Sequence, residues 1–149
     1  MALIHLIYVS SACGMKSDAE LELILESAVR HNAAQNITGM LLYANGSFMQ
    51  VLEGDALAVD ETYARVVSDS RHGNIFLLER DEIPARSFSQ WHMGFRSLST
   101  SYLNAHPAYA DFFSRDFAAE KLGVQHELAL QMLYTFAKNQ DINGVFQPD

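Results

Sequence analysis

Apolar runs on either side of Asn45-Gly46 predict a β-hairpin. Residues 37–54 read ITGMLLYANGSFMQVLEG, with the polar pair between two nearly continuous apolar stretches. Asn-Gly tolerates the positive φ angles of a two-residue type I′ turn better than other dipeptides do. The pattern therefore predicts two antiparallel strands, over residues 40–44 and 47–53.

Gln50 interrupts the apolar face of the second predicted strand. Alternation along a strand puts Phe48, Gln50 and Leu52 on the same face. A buried carboxamide without partners costs about 1–3 kcal/mol, so this side chain has to be hydrogen-bonded. Gln50 is either a satisfied core glutamine or a binding-site amide that both donates and accepts.

The segment before the hairpin predicts a strand followed by a helix. Residues 3–9, LIHLIYV, form a nearly continuous apolar run that is typical of a central strand. Ser17 and Glu20 match a capping box, which begins a helix. When the apolar stripe of that helix is extended by one turn, it reaches Asn32.

The remaining elements complete an α+β fold. The apolar spacing predicts a helix over residues 57–70, strands over 74–80 and 88–95, and two C-terminal helices near 107–119 and 124–138. This order is a ferredoxin-like βαββαβ pattern plus one further strand, in a five-stranded mixed sheet with two helices on one face, followed by the C-terminal helices.

That topology predicts both a site and a division of the chain. The first and third strands are central neighbours, which places Tyr8 beside Gln50 on the helix-facing side. We expect one domain over residues 1–97 and a helical extension over residues 98–149. The final predicted helix is apolar almost all round, so it packs on the domain or on another subunit.

Composition and charge argue against several classes of partner. The formal charge of −8, from 10 basic and 18 acidic residues, disfavours binding to nucleic acid. No apolar run approaches the roughly 18 residues of a membrane span, and the N-terminus does not match a signal peptide. With Cys13 as the only cysteine, an intrachain disulfide is impossible. We therefore expect a cytoplasmic protein with neither nucleic acid nor membrane as a partner.

Catalytic and metal-binding motifs are not found in the sequence. It contains no nucleophile elbow, P-loop, GxGxxG or HExxH motif. The six histidines lack close metal-ligand spacing, and no metal site is predicted. Glu53 and Asp55 flank a glycine, a pattern more typical of a turn and a helix cap than of a catalytic pair.

Three polar side chains stand at positions where a plain core would be apolar. Tyr8, Asn32 and Gln50 come from two central strands and a helix, and the topology brings them together. Their donors and acceptors suit a flat heteroaromatic ligand with carbonyl and imide edges.

A second polar set follows the second predicted helix. Arg65, Asp69 and His72 are spaced i, i+4 and i+7, and Arg71 lies beside them. They either contact a ligand at this end of the helix or form a solvated face with an ion pair worth a few tenths of a kcal/mol.

Five linked motifs resemble the BLUF family of blue-light receptors that use FAD. They read LIYVS, NITGMLLY, GSFMQVLEG, DSRH and WHMGF, and they occur in the family's order and spacing over about residues 3–95. The resemblance implies that residues 1–97 are a flavin-binding domain and that FAD is the cofactor. It also implies a role for each side chain that matches a family position.

In the resemblance, Tyr8 is the electron and proton donor to excited flavin, and Gln50 is the amide between Tyr8 and flavin N5/O4. Asn32 holds the carbonyl edge of the ring, while Ile24 and Val66 sandwich it between the helices. The same comparison gives contacts to the ring edge, ribityl chain or phosphates to Arg65, Asp69, Arg71 and His72, places His31 and Ala28 beside the flavin, and assigns signal relay to Trp91 and Met93.

The function implied is that of a short stand-alone photoreceptor, which turns over no substrate. Light-driven transfer from Tyr8 and rearrangement of the Gln50 hydrogen bonds yield a red-shifted state that decays in darkness. We expect the last strand and the C-terminal helices to pass the signal to a downstream protein of unknown identity, and we expect a homo-oligomer. The alternatives are a small flavin-dependent oxidoreductase and a ferredoxin-like domain without flavin.

Overall fold

The computed structural model describes residues 2–12, 17–44, 46–70, 72–89, 92–97 and 131. In chain order its elements are β1 (Leu3–Ala12), α1 (Asp18–Gln35), β2 (Thr38–Ala44), β3 (Ser47–Asp55), α2 (Ala56–Val67), β4 (His72–Glu82) and β5 (Gly94–Ser97). Neither of these helices is long and apolar enough to cross a bilayer. The predicted C-terminal helices fall outside the described residues, apart from Gln131, which is helical.

The strands form one mixed sheet in the order β4-β1-β3-β2-β5. Neighbours are antiparallel, except that β2 and β5 are parallel. The central pair is β1 and β3, as the ferredoxin-like pattern requires. The predicted fold class, a five-stranded mixed sheet with two helices, is therefore confirmed.

The hairpin and the capping box are formed as predicted. Ala44 pairs with Ser47 across a two-residue connection, and Gly46 has a φ of 77°, which suits a type I′ turn. At the start of α1, the amide of Glu20 donates to Oγ of Ser17 at 3.2 Å, and the amide of Ser17 donates to the Glu20 carboxylate at 3.2 Å. These bonds satisfy backbone donors that the first helical turn leaves free.

The main core lies between the sheet and the two helices. Its buried side chains alternate along the strands and recur at helical spacing in α1. They include Ile4, Leu6, Tyr8, Leu21, Leu25, Leu41, Phe48, Leu52 and Val59. The opposite face of the sheet is also apolar and buried, with Ile7, Val9, Met40, Leu42, Met49 and Val51 each fully enclosed.

Of the element boundaries that differ from the sequence prediction, two bear on the candidate site. α2 ends at Val67, so His72 belongs to β4 and helical spacing does not relate it to Arg65. The last strand covers Gly94–Ser97 instead of residues 88–95. At the start of the predicted strand and just before it, the amides of Phe88 and Ser87 donate to a side-chain carboxylate, which takes them out of a strand ladder.

Candidate functional site

A cleft opens between α1 and α2 above the two central strands. Each helix lines it with residues three or four positions apart, so one face of each helix is turned to the cleft. Its empty volume, including the solvent at the open mouth, is about 770 Å³. The lining residues are Tyr8, Ile24, Ser27, Ala28, His31, Asn32, Leu41, Phe48, Gln50, Leu52, Thr62, Arg65, Val66 and Asp69.

Tyr8 and Gln50 lie side by side at the base of the cleft. They are directly opposed in the β1–β3 ladder, which brings Cβ atoms within about 5 Å of each other. The hydroxyl of Tyr8 donates a hydrogen bond to Oε1 of Gln50, and both side chains are buried. The predicted contact between these two residues is therefore present.

Two hydrogen bonds orient the carboxamide of Gln50, one accepted by its oxygen and one donated by its nitrogen. Its Nε2 donates to Sδ of Met93 at 3.4 Å, while its oxygen accepts from Tyr8. Because a thioether sulfur only accepts hydrogen bonds, the nitrogen has to face Met93. Gln50 thus links the phenol on β1 to the segment that enters β5.

Asn32 reaches the same segment from α1. Its Nδ2 donates to the backbone carbonyl of His92 at 2.7 Å, and the residue is only 2% exposed. In addition, Nδ1 of His92 lies 3.0 Å from the carbonyl oxygen of Ile37. The two amides of the cleft, Asn32 and Gln50, therefore each contact one of two consecutive residues, His92 and Met93.

The environment of Tyr8 keeps its phenol protonated. Burial raises the pKa of Tyr8 far above its ordinary value, and neighbouring Tyr63 and Asp69 raise it further. The ring of Tyr63 packs against that of Tyr8 with a centroid distance of 5.7 Å and a tilt of 51°. Tyr8 therefore stays a neutral hydrogen-bond donor toward Gln50.

A chain of hydrogen bonds crosses the cleft mouth from α2 to α1. Nη1 of Arg65 donates to Nδ1 of His31, and Nε2 of His31 lies 3.0 Å from Oγ1 of Thr62, which donates to the carbonyl of Ala58 at 2.8 Å. A guanidinium only donates, so Nδ1 of His31 is unprotonated and Nε2 carries the proton. His31 is therefore a neutral ring with one defined tautomer.

Nine of the residues predicted for the site line the cleft together. They are Tyr8, Ile24, Ala28, His31, Asn32, Gln50, Arg65, Val66 and Asp69. Arg71, Trp91 and the side chain of His72 lie outside the described residues. Met93 precedes β5 and contacts Gln50.

Sequence reasoning missed Ser27, Leu41, Phe48, Leu52 and Thr62 as lining residues. Helical spacing from Ile24 and Ala28 would have indicated Ser27, and alternation from Gln50 would have indicated Phe48 and Leu52.

Comparison with known proteins decides the family. A family model described as sensors of blue-light using FAD matches residues 3–94. The chain belongs to the BLUF family. The match confirms the resemblance that the five motifs indicated. FAD is the cofactor that the description of the family names.

Other BLUF proteins match over most of the chain. The photoactivated adenylate cyclase subunit beta of Euglena gracilis is 35% identical over 111 residues, which are 74% of this chain and 13% of that protein. The dark-state structure of BlrB has a TM-score of 0.73 and 28% identity, covering 93% of this chain and 98% of that one. BlsA in its ground state has a TM-score of 0.75 and 27% identity, covering 96% and 94%. The chain thus spans about an eighth of the cyclase subunit.

The residues of the BLUF cleft fit a flavin. Apolar side chains from both helices, Ile24 and Val66, form opposite walls, and the amides of Asn32 and Gln50 supply donors and acceptors at the base. At the mouth, the exposed guanidinium of Arg65 suits a phosphate group. An apolar slot with a polar base and a cationic mouth matches the ring and the phosphate ends of FAD.

The tautomer of His31 predicts a loss of stability in mild acid. Burial, and then the charge of Arg65, lower the pKa of His31 below its ordinary value of 6.5. The unfolded state therefore binds more protons below about pH 6.5, so the stability contributed by the neutral ring is present above that pH and is lost as the pH falls. The expected loss is at most about 1 kcal/mol, because solvent screens charges at a half-exposed ring.

Urea unfolding of the wild type and of His31→Gln between pH 7.5 and 5 measures this effect. The wild type should lose more stability than the variant as the pH falls, since the amide does not titrate. Parallel curves for the two proteins would contradict the assigned tautomer.

Proposed function

We propose that this chain is a blue-light photoreceptor whose switch is the hydrogen-bonded chain Tyr8–Gln50–Met93. The observation that carries the proposal is the geometry of Gln50. Its oxygen faces a buried phenol and its nitrogen faces a sulfur that leads into β5. An amide in this position is able to exchange a donor for an acceptor toward a ligand in the cleft.

The residues lining the cleft are proposed to hold FAD in distinct ways. Ile24 and Val66 pack on the two faces of the ring, with Ala28 beside them, and Asn32 contacts its carbonyl edge. Toward the mouth, the ribityl chain and phosphates meet a polar set from the two helices and the residues that follow α2. This set comprises His31, Arg65, Asp69, Arg71 and His72.

Tyr8 and Gln50 are proposed to carry out the photochemistry. Bound FAD supplies the absorption of blue light and an excited state that accepts an electron. The phenol of Tyr8 releases the electron, and its hydroxyl proton moves along the hydrogen bond toward Gln50. When the electron and proton return, Gln50 is left rotated or tautomerised, so its hydrogen bonds to Tyr8 and Met93 are rearranged.

The rearranged amide is proposed to signal through the segment that enters β5. Rotation of Gln50 removes its Nε2 donor from Met93, which directly precedes a strand paired with β2. Trp91 and the extension over residues 98–149 are the proposed continuation of this route. The output is contact with a downstream protein, with a homo-oligomer as the signalling unit and no reaction catalysed by this chain itself.

An absorption spectrum of the purified protein, before and after blue light, tests the proposal. Flavin bands that shift slightly to the red and return in darkness are the expected result. Bleaching and slow reoxidation would instead indicate redox turnover by a flavin-dependent oxidoreductase. A colourless protein that FAD does not reconstitute would refute the photoreceptor assignment.

Replacing Gln50 with leucine should abolish the red-shifted state while FAD stays bound. Leucine fills a similar volume but offers no group to exchange between Tyr8 and the ligand. The stability cost is about 1–2 kcal/mol, because the buried hydrogen bond between Tyr8 and Gln50 is lost. Gln35→Leu is the matched control, since Gln35 is exposed at the end of α1. A normal light-induced shift in Gln50→Leu would remove Gln50 from the switch.

A further inference from the structure

Glu53 is a fully buried acid that takes no part in the cleft. It stands on β3 with its side chain on the face opposite Gln50, and it is 0% exposed. Its carboxylate accepts from the amides of Ser87 and Phe88 at 2.7 and 2.8 Å, and from Oγ1 of Thr38 at 3.1 Å. Three donors therefore converge on one side chain.

Arg86 adds further hydrogen bonds between the segment that contains Ser87 and Phe88 and the rest of the fold. Its guanidinium donates to Oγ1 of Thr38 at 2.9 Å, to the backbone carbonyl of Glu53 at 3.1 Å and to the carbonyl of Asn36 at 2.7 Å. Asn36 is the left-handed residue that ends α1. The bonds join residues 86–88 to the end of α1, the start of β2 and the end of β3.

We call Thr38, Glu53 and Arg86 the Glu53–Arg86 clamp. None of its side chains lines the cleft. It is nevertheless attached to the site by a short length of chain, because Phe88 precedes His92 by four positions. Four extended residues span at most about 14 Å, so anchoring Phe88 restricts where His92 can lie.

The segment that follows the clamp supplies the hydrogen-bond acceptors for the nitrogens of both cleft amides. The carbonyl of His92 accepts from Asn32, and the sulfur of Met93 accepts from Gln50. His92 also contacts Ile37, next to the Asn36 carbonyl held by Arg86. The clamp therefore binds this segment at residues 86–88, and the two cleft amides bind it at His92 and Met93.

We infer that Glu53 and Arg86 are positioning residues for the photochemical site. By fixing residues 86–88 they keep the acceptors on His92 and Met93 against the two amides. Met93 stabilises the dark orientation of Gln50, so a loosened clamp slows the return to the dark state without removing FAD. This inference about recovery rests on the proposed function, but the positioning of Met93 does not.

The positioning is tested first in darkness and without FAD. Methyl groups of methionine are labelled with ¹³C in the full chain, and the Met93 resonance is assigned with Met93→Leu. Arg86→Ala should move or split this resonance. Arg80→Ala is the matched control, because the Arg80 guanidinium makes two 2.9 Å bonds to Asp60 on α2 and, among the described residues, none to the clamp or to His92. Arg86→Gln serves where the alanine variant is too unstable for NMR.

Dark recovery of the FAD-loaded protein after blue light is the second measurement. Arg86→Ala should recover about tenfold more slowly than Arg80→Ala, which corresponds to about 1.4 kcal/mol in the barrier. The inference is overturned if the Met93 resonance of Arg86→Ala has the same position and shape as that of Arg80→Ala. It is also overturned if Arg86→Ala recovers no more slowly than Arg80→Ala. If the wild type shows no light-induced shift, the proposed function fails, and the NMR comparison alone decides the positioning role.

Discussion

Replacing Tyr8 with phenylalanine should leave FAD bound and abolish the red-shifted state completely. Within the described residues, the phenol is the only hydroxyl that donates to Oε1 of Gln50, and its ring remains in the variant to fill the core. Without the O–H group, neither the proton nor the coupled electron is available at this position. Gln50 also loses a donor, so the free energy of unfolding should fall by about 1–2 kcal/mol.

The measurement is a pair of absorption spectra of the FAD-loaded variant, in darkness and directly after a saturating blue flash. Tyr63→Phe is the matched control. The ring of Tyr63 lies 5.7 Å from that of Tyr8, and the substitution likewise removes one phenolic hydroxyl group and keeps the ring. The control should keep the light-induced shift. A shift in Tyr8→Phe equal to that of the wild type would exclude Tyr8 as the donor.

Replacing Gly39 with alanine should destabilise the protein by about 3 kcal/mol or more. A Cβ atom at this position would lie 1.9 Å from the backbone oxygen of Val51 and 3.0 Å from its carbonyl carbon. Since the obstacle is backbone on the paired strand, no rotamer change relieves it, and β2 has to move away from β3. The Cβ would also approach Cε of Met93 at 3.3 Å, so the partner of Gln50 would shift too.

Gly73→Ala is the matched control for Gly39→Ala. A Cβ on Gly73, in β4, meets no heavy atom within 4 Å. The control should change stability by no more than about 1 kcal/mol, and the smaller freedom of the unfolded chain favours a gain. Urea midpoints of the two variants and the wild type decide the matter. Equal midpoints for both variants would show that β2 and β3 are not paired in this register.

Local patterns predicted the elements that depend on neighbouring residues. The capping box of Ser17, the turn at Gly46 and the helical stripe that ends at Asn32 each involve residues a few positions apart, so their periodicity is visible in the sequence. The opposition of Tyr8 and Gln50 required one further step, the topology, which follows from the order of the elements. Helical spacing failed for His72, because α2 ends at Val67 and leaves no helix to continue.

The attachment of residues 86–88 shows why the last strand was predicted too early. Phe88 begins the stretch whose apolar spacing predicted a strand, and it is indeed buried. Its amide, however, bonds to Glu53, which is 35 positions away in the chain. A buried carboxylate competes with a strand ladder for the same backbone donors, and periodicity does not register such a competitor.

The sequence by itself determined the order of the elements, the polar set Tyr8, Asn32 and Gln50, and the five motifs that indicated the BLUF family. Tertiary structure alone decided which atoms those side chains meet. The bond from Asn32 to His92 and the bond from Gln50 to Met93 join residues 60 and 43 positions apart. Contacts of that separation depend on how the sheet, the helices and the residues just before β5 pack together. Packing is a property of the whole chain, whereas spacing reports only on the residues within a turn or a strand of one another.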